Sequence, residues 1–265
     1  MRRDPDDQHF WDRVARKYAR DSIKDVAGYA RTLESTRQRL NETDTVLELG
    51  CGTGRISAPL ARAGAHVVGI DRSAPMLDRA HTRACTLSRR RTTRTGGQLH
   101  LVRGDIRSLP FPSASFNMVA APYGILQSLV RERDLAATLE SVARVTAPGG
   151  LFGVDLVPDV PGWREYTDRI QMRGKASGGA HLTLIESVRQ DPRKKLTIFE
   201  QRYIVRRGGR RTEHPFQLTF RTLPIKGMTR RLERAGFAIE AVLGDYRGRP
   251  WDARADVWLI LARRI

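Results

Sequence analysis

The stretch Val46-Leu47-Glu48-Leu49-Gly50-Cys51-Gly52-Thr53-Gly54 constrains this chain more than any other. A short apolar strand runs into three glycines at alternate positions, and Arg55 to Gly64 then reads as a helix with Ile56 and Leu60 on one side. Glycine lets the backbone turn sharply there and lets a ligand lie against the main chain without meeting a side chain. Pro59 stands near enough to the helix start to be tolerated. About 17 residues after Gly54, Asp71 follows a second strand, His66-Val67-Val68-Gly69-Ile70, where a carboxylate can accept both hydroxyls of a ribose. The spacing is GxGxG with an acid two residues before the first glycine, not the GxGxxG of a dinucleotide site. A nicotinamide oxidoreductase is thereby set aside.

The same alternation continues. Ser73 to Arg90 predicts a helix, Leu99-His100-Leu101-Val102 a third strand and Phe116 to Ala120 a fourth. Leu135, Leu139 and Val142 then mark a helix that ends at Pro148-Gly149-Gly150, before a fifth strand from Leu151 to Val154. Parallel neighbours need crossover helices, so this pattern predicts a doubly wound parallel sheet. Between 158 and 222 the pattern changes to three alternating strands, Leu182–Val188, Leu196–Val205 and Phe216–Phe220, with turns at Asp191-Pro192 and Gly208-Gly209. A helix from Ile225 to Ala235, stopped by Gly236, and strands at Phe237–Leu243 and Val257–Ala262 finish the chain and give the sheet an antiparallel edge. The expected fold is α/β, a mainly parallel seven-stranded sheet formed by 41–157 and 223–265, with 158–222 as an inserted antiparallel meander. Residues 7–40 read as two helices, with Phe10, Val14 and Tyr18 on one face and a break at Asp21-Ser22.

A chain of 265 residues that is 40% hydrophobic and 29% charged suits one medium domain carrying an insertion, and it excludes disorder, collagen-like repeats and a disulfide-stapled miniprotein. Cys51 and Cys85 could form at most one bridge and show no metal spacing, which points to a reducing, cytoplasmic location. Met1 to Asp7 has no apolar core for a signal peptide, and the longest apolar run, Val257–Ala262, is too short to span a bilayer. None of the six histidines sits in a ligand spacing, so no metal is expected. Lys and Arg number 47 against 29 Asp and Glu, a formal +18, but only six are lysine and the arginines are scattered. The densest run, Arg89-Arg90-Arg91-Thr92-Thr93-Arg94, reads as a solvated loop without the interleaved aromatics of a stacking platform. Nucleic acid is expected to bind at most non-specifically.

Glu48 to Gly54 with Asp71 resembles the cofactor loop of class I methyltransferases that use S-adenosylmethionine. Gly104-Asp105-Ile106 is similar to the acid motif beside the adenine in that family, Phe111-Pro112 with Phe116 to Val119 to its fourth-strand entry, and Pro148-Gly149-Gly150-Leu151 to the turn into its fifth strand. Phe10-Trp11-Asp12-Arg13-Val14-Ala15 with Tyr18 resembles an N-terminal segment that folds over the cofactor in small-molecule members, so residues 1–40 are expected to form a helical cap. The resemblance implies that Gly50, Cys51, Gly52 and Gly54 form the loop against the methionine part, with Glu48 beside them. It implies Asp71 on the ribose, Met76 and Ile106 on the adenine faces, Asp105 on the adenine edge, and Ala121 along the route to the methyl group.

Methyl transfer is an in-line displacement in which the protein mainly aligns the reactants and excludes water. No general base is singled out; Tyr123, Asp155 and His181 are the candidates. Base-amine enzymes carry Asn/Asp-Pro-Pro-Tyr after the fourth strand, whereas here the segment is Ala120-Ala121-Pro122-Tyr123-Gly124, with no polar side chain before the Pro-Tyr pair. The expected activity is methyl transfer to an O or N atom of a small molecule, with 158–222 as an acceptor lid or a homodimer contact. An RNA or other nucleic-acid methyltransferase, and a protein that binds the cofactor without transferring it, stay open.

Overall fold

The computed structural model describes residues 44–89, 97–156, 165–176, 179–255 and 258–265. The helices expected before residue 41, with Tyr18, lie outside the described residues, as does most of the Arg89–Arg94 run. The described residues belong to two compact units, one holding the parallel sheet and the other holding the meander with Gln127–Val130.

The first unit contains a seven-stranded sheet. β1 (Thr45–Leu49) lies between β2 (His66–Asp71) and β4 (Phe116–Ala121), parallel to both, with Val46 opposite Val67 and Met118. β3 (Gln98–Arg103) extends the parallel set beyond β2, and β5 (Thr146–Leu156) extends it beyond β4. β11 (Trp258–Arg264) runs antiparallel to β5 and is followed at the edge by antiparallel β10 (Phe237–Leu243). Because helices cover the centre of a parallel sheet, its strands are apolar on both sides. Accordingly Val46, Leu47, Leu49, Val119, Phe152 and Val154 are fully buried.

Among the described residues, four α-helices belong to this unit: α1 (Ser57–Ala63), α2 (Ala74–Arg89), α3 (Glu132–Val145) and α4 (Ile225–Arg234). α1 begins two residues later than expected, since Gly52 to Ile56 form turns, and this puts Pro59 in the first helical turn, where its missing N–H costs nothing. α3 ends at Val145 rather than at Pro148-Gly149-Gly150. Thr146 already pairs with Phe116, and a break in register before the Met118–Leu151 pair absorbs the glycines into the start of β5. Ser73 caps α2 by accepting the Met76 N–H (3.3 Å). Ser73→Ala is expected to cost about 1 kcal/mol, read as a lower urea midpoint at unchanged slope.

The meander makes a sheet of its own with four strands rather than three: β6 (Tyr166–Ala176), β7 (Ala180–Asp191), β8 (Leu196–Arg207) and β9 (Arg210–Arg221), in that order. β6 escapes a reading by hydrophobic alternation because it is an edge strand and most of its side chains are exposed and polar. The turns at Asp191-Pro192 and Gly208-Gly209 lie where the sequence places them. Leu182, Leu184 and Tyr203 pack with Met172, Val205 and Phe216 on one face, the Tyr203 and Phe216 rings edge to face at 5.4 Å. Pro215 is accommodated because β9 is the other edge.

Candidate active site

The three loop glycines serve different ends. All have positive φ, +62° at Gly50, +51° at Gly52 and +69° at Gly54, which side chains disfavour. A Cβ at Gly50 would stand 2.6 Å from Cδ1 of Ile125, and one at Gly54 would stand 2.9 Å from Cβ of Ala80 on α2. Those two positions are closed by the protein's own packing. Among the described residues, the nearest atom to an added Cβ at Gly52 is the Gly50 carbonyl oxygen at 3.9 Å, so none of them fills the space over this glycine. The loop is tied to β2 by the Cys51 N–H, which donates to the Ile70 carbonyl (3.0 Å), and by the Gly52 N–H, which donates to Oδ2 of Asp71 (2.8 Å).

Carboxylates from successive strands gather at the carboxyl end of the sheet, the edge at which open α/β sheets bind ligands. Glu48 is buried below the loop and accepts from the Ser57 N–H (2.8 Å) and from the Ser57 hydroxyl. Burial lifts its pKa to about 7; the Asp71 charge adds to the rise, while the Ser57 bonds and Arg55 oppose it. Asp71 accepts the Ser73 N–H at Oδ1 (2.9 Å) as well as that of Gly52. Burial raises its carboxyl too, against the hydrogen bonds from Ser73, Gly52 and Arg72 and the Arg72 charge. Asp105, beyond β3, is gripped by the Arg107 guanidinium at 2.7 Å and lies 3.7 Å from Arg72. Its burial is outweighed by these hydrogen bonds and charges, so its pKa falls below the usual carboxylate range. Cys51 is buried between these acids, and burial together with the Glu48 and Asp71 charges pushes its thiol well above the ordinary range. Met76, Ile106 and Ala121 are all buried.

The turn after β4 closes the other side. Tyr123 has φ +53°, uncommon for a bulky residue, and Gly124 follows at +63°. Asp155 near the end of β5 holds this turn: its Oδ2 accepts the Tyr123 N–H (3.2 Å), and its carbonyl accepts the Gly124 N–H (3.0 Å). The same Oδ2 accepts the Tyr246 hydroxyl at 2.6 Å. Tyr123 and Asp155, two of the candidates named from sequence, are thus in contact, and Ile125 of the same turn covers Gly50. His181, the third, is exposed on β7 in the other unit. Sequence reasoning did not single out Tyr246, Ser57 or Arg107. Only Arg107 carried a local signal, a cation two residues after an acid. Among the described residues, no three His, Cys, Asp or Glu side chains form a metal-ligating group, and no helix is long and apolar enough to cross a membrane.

A family model described as "Methyltransferase domain" matches residues 46–150. The chain is 30% identical over 220 residues, 83% of its own length and 83% of the relative's, to the cypemycin N-terminal methyltransferase of a Streptomyces species. It belongs to the class I S-adenosylmethionine-dependent methyltransferases. A demethylmenaquinone methyltransferase of Paenarthrobacter aurescens is 31% identical over 198 residues, covering 69% of this chain and 71% of that one. The fold is also that of an S-adenosylmethionine-dependent methyltransferase from Clostridium acetobutylicum, with a TM-score of 0.74 at 16% identity over 96% of this chain and 98% of the other. The cofactor of this methyltransferase is S-adenosylmethionine, and the site suits it chemically. The sulfonium is cationic and its ribose and purine need acceptors and apolar cover, which three carboxylates, an open Gly52 backbone and buried Met76 and Ile106 can provide.

Proposed function

We propose that this methyltransferase acts on an oxygen or nitrogen atom of a small molecule that enters at the turn after β4. The observation that carries this reading is the turn itself. Ala120 and Ala121 offer no amide or carboxylate to receive the hydrogens of a base amine, and the groups that follow are Tyr123 and a buried carboxylate, Asp155, bonded to Tyr246. The relative named for the N-terminus of cypemycin, similar over most of both chains, supports an acceptor of this kind.

S-adenosylmethionine supplies the electrophilic methyl group. In this reading the backbone of Gly50, Cys51, Gly52 and Gly54 holds the methionine part with Glu48 beneath, and Asp71 turns from the Gly52 and Ser73 amides toward the ribose hydroxyls. Asp105, steadied by Arg107, takes the adenine amine between Met76 and Ile106, while Ala121 lines the way to the methyl group. Residues 1–40 with Tyr18 cap the cofactor, and 158–222 lid the acceptor or join two copies. The unbridged Cys51 and Cys85 accord with work in a reducing cytoplasm.

Asp71→Ala is expected to weaken S-adenosylmethionine binding by about 10- to 100-fold in calorimetry, since a hydrogen bond to a charged group is worth roughly 1.5–3 kcal/mol. Unchanged affinity with a lowered melting temperature would make Asp71 a loop brace only. Transfer of tritiated methyl to a small-metabolite extract, with total RNA and DNA in parallel, tests the acceptor class. Label confined to the small molecules is the expected result; label at a defined nucleic-acid position overturns it, and silence in all three with cofactor bound makes the protein a cofactor binder.

A further inference from the structure

The register of the four-stranded sheet lines up basic residues that are far apart in sequence. Lys175 on β6 pairs with His181 on β7, His181 with Arg206 on β8, and Arg206 with Arg211 on β9. Residues directly opposite one another share a face, so one row of four basic side chains crosses the whole sheet. All four are exposed. Arg173, exposed on the same face two residues in from Lys175, adds a fifth, and the turn beyond the row is Arg207-Gly208-Gly209-Arg210. Glu213 is the acid nearest the row on this face and is taken by Arg211 at 2.7 Å. Among the described residues, Arg206, Lys175 and Arg173 form no ion pair. Like charges directly opposite destabilise a sheet. The Arg206–Arg211 pair is therefore an arrangement that folding alone does not favour.

We propose that this face of the meander is a docking surface for the phosphate backbone of single-stranded RNA, bound without reading its sequence. Strands lie about 4.8 Å apart, so the row spans roughly 14 Å. A nucleic-acid strand carries a negative charge at every nucleotide whatever its sequence, so it meets a row of cations without needing a particular sequence. A peptide strand meets the row only where it places an acid at every second residue, since alternate side chains point to opposite faces. A lipid surface is a poorer fit, because the turn at the head of the row consists of arginine and glycine and offers no apolar anchor. Guanidinium groups add paired donors to phosphate oxygens. RNA docking on this face does not depend on the transfer reaction proposed above.

Fluorescence anisotropy of a labelled 12-nucleotide RNA of mixed sequence decides the matter, with the full chain at 50 to 200 mM salt. Arg206→Ala/Arg211→Ala and, at the other end of the row, Lys175→Ala/Arg173→Ala are each expected to weaken binding by about tenfold or more at 50 mM salt. Each pair should lower the slope of log K against log salt by about 1.4, the value for two lost phosphate contacts on a single strand. Arg230→Ala/Arg234→Ala removes two exposed cations from α4 and should leave both quantities almost unchanged. Equal losses from all three variants would reduce the association to bulk charge and overturn the assignment. So would displacement of the RNA by polyglutamate or by phosphatidylserine vesicles at equal charge concentration. All six positions are exposed, and circular dichroism melting of each variant verifies that the loss is one of contact rather than of fold.

Discussion

Glu48→Gln is expected to raise the unfolding midpoint by roughly 6–12 °C at pH 8 and to leave it nearly unchanged at pH 4.5. In the folded chain the Glu48 carboxyl has a pKa of about 7 against an ordinary 4.5. The folded state therefore holds a proton between these values that the unfolded chain has released, and stability falls as pH rises through that window. A shift of this size corresponds to about 3 kcal/mol, and for a chain of this length each kcal/mol moves the midpoint by roughly 2–4 °C. Above pH 7 the cost is complete. Glutamine keeps an oxygen for the Ser57 N–H and hydroxyl but never carries the buried charge. Asp71, also raised, contributes in the same direction and leaves a residual slope in the variant. A gain of equal size at both pH values would mean that packing rather than charge is at issue. In the proposed arrangement the charge tolerated at such a cost stands beneath a cofactor with a cationic sulfur, so the same variant should lose affinity for S-adenosylmethionine while holding its neutral demethylated product.

Asp155→Ala is expected to cost about 4 kcal/mol and to reduce methyl transfer far more than cofactor affinity. The substitution strands the Tyr246 hydroxyl and the Tyr123 N–H, both of which now reach one carboxylate oxygen. Hydrogen bonds to charged groups contribute roughly 1.5–3 kcal/mol each, and a buried partner left without one pays its full desolvation. Tyr246→Phe removes one of the two bonds and should cost about half as much. In a double-mutant cycle the two changes are expected to be non-additive by 1 kcal/mol or more. Additive effects would separate Tyr246 from the turn. Release of Tyr123 from positive φ moves the wall opposite Gly50, so transfer suffers while calorimetry still reports cofactor binding.

What the sequence disclosed and what it hid follow from the range of the interactions. The glycine loop, the alternation of β1, β2 and β4 with α2, and the burial of Leu135, Leu139 and Val142 on α3 are local patterns, and they are legible. β6 is hidden because an edge strand with exposed polar side chains has no alternation to read. The start of β5 is hidden because glycines that look like a turn lie within a register break that only pairing with β4 defines. In the site, the loop positions and Asp71 stand out by spacing alone. Tyr246 does not, since it lies 91 residues from the Asp155 that it meets and nothing in its own neighbourhood marks it.

The unequal settings of the two cysteines make the native chain a ready instrument. Cys51 is sealed under the glycine loop with its thiol held protonated, whereas Cys85 is exposed on α2 with the His81 ring 3.5 Å from its sulfur. A maleimide dye will therefore attach at one place without any engineering, on the helix whose Ala80 abuts Gly54. Fluorescence from that single label can report on the glycine loop as S-adenosylmethionine is added and removed, and the later appearance of a second reactive thiol would time the moment at which the loop itself comes apart.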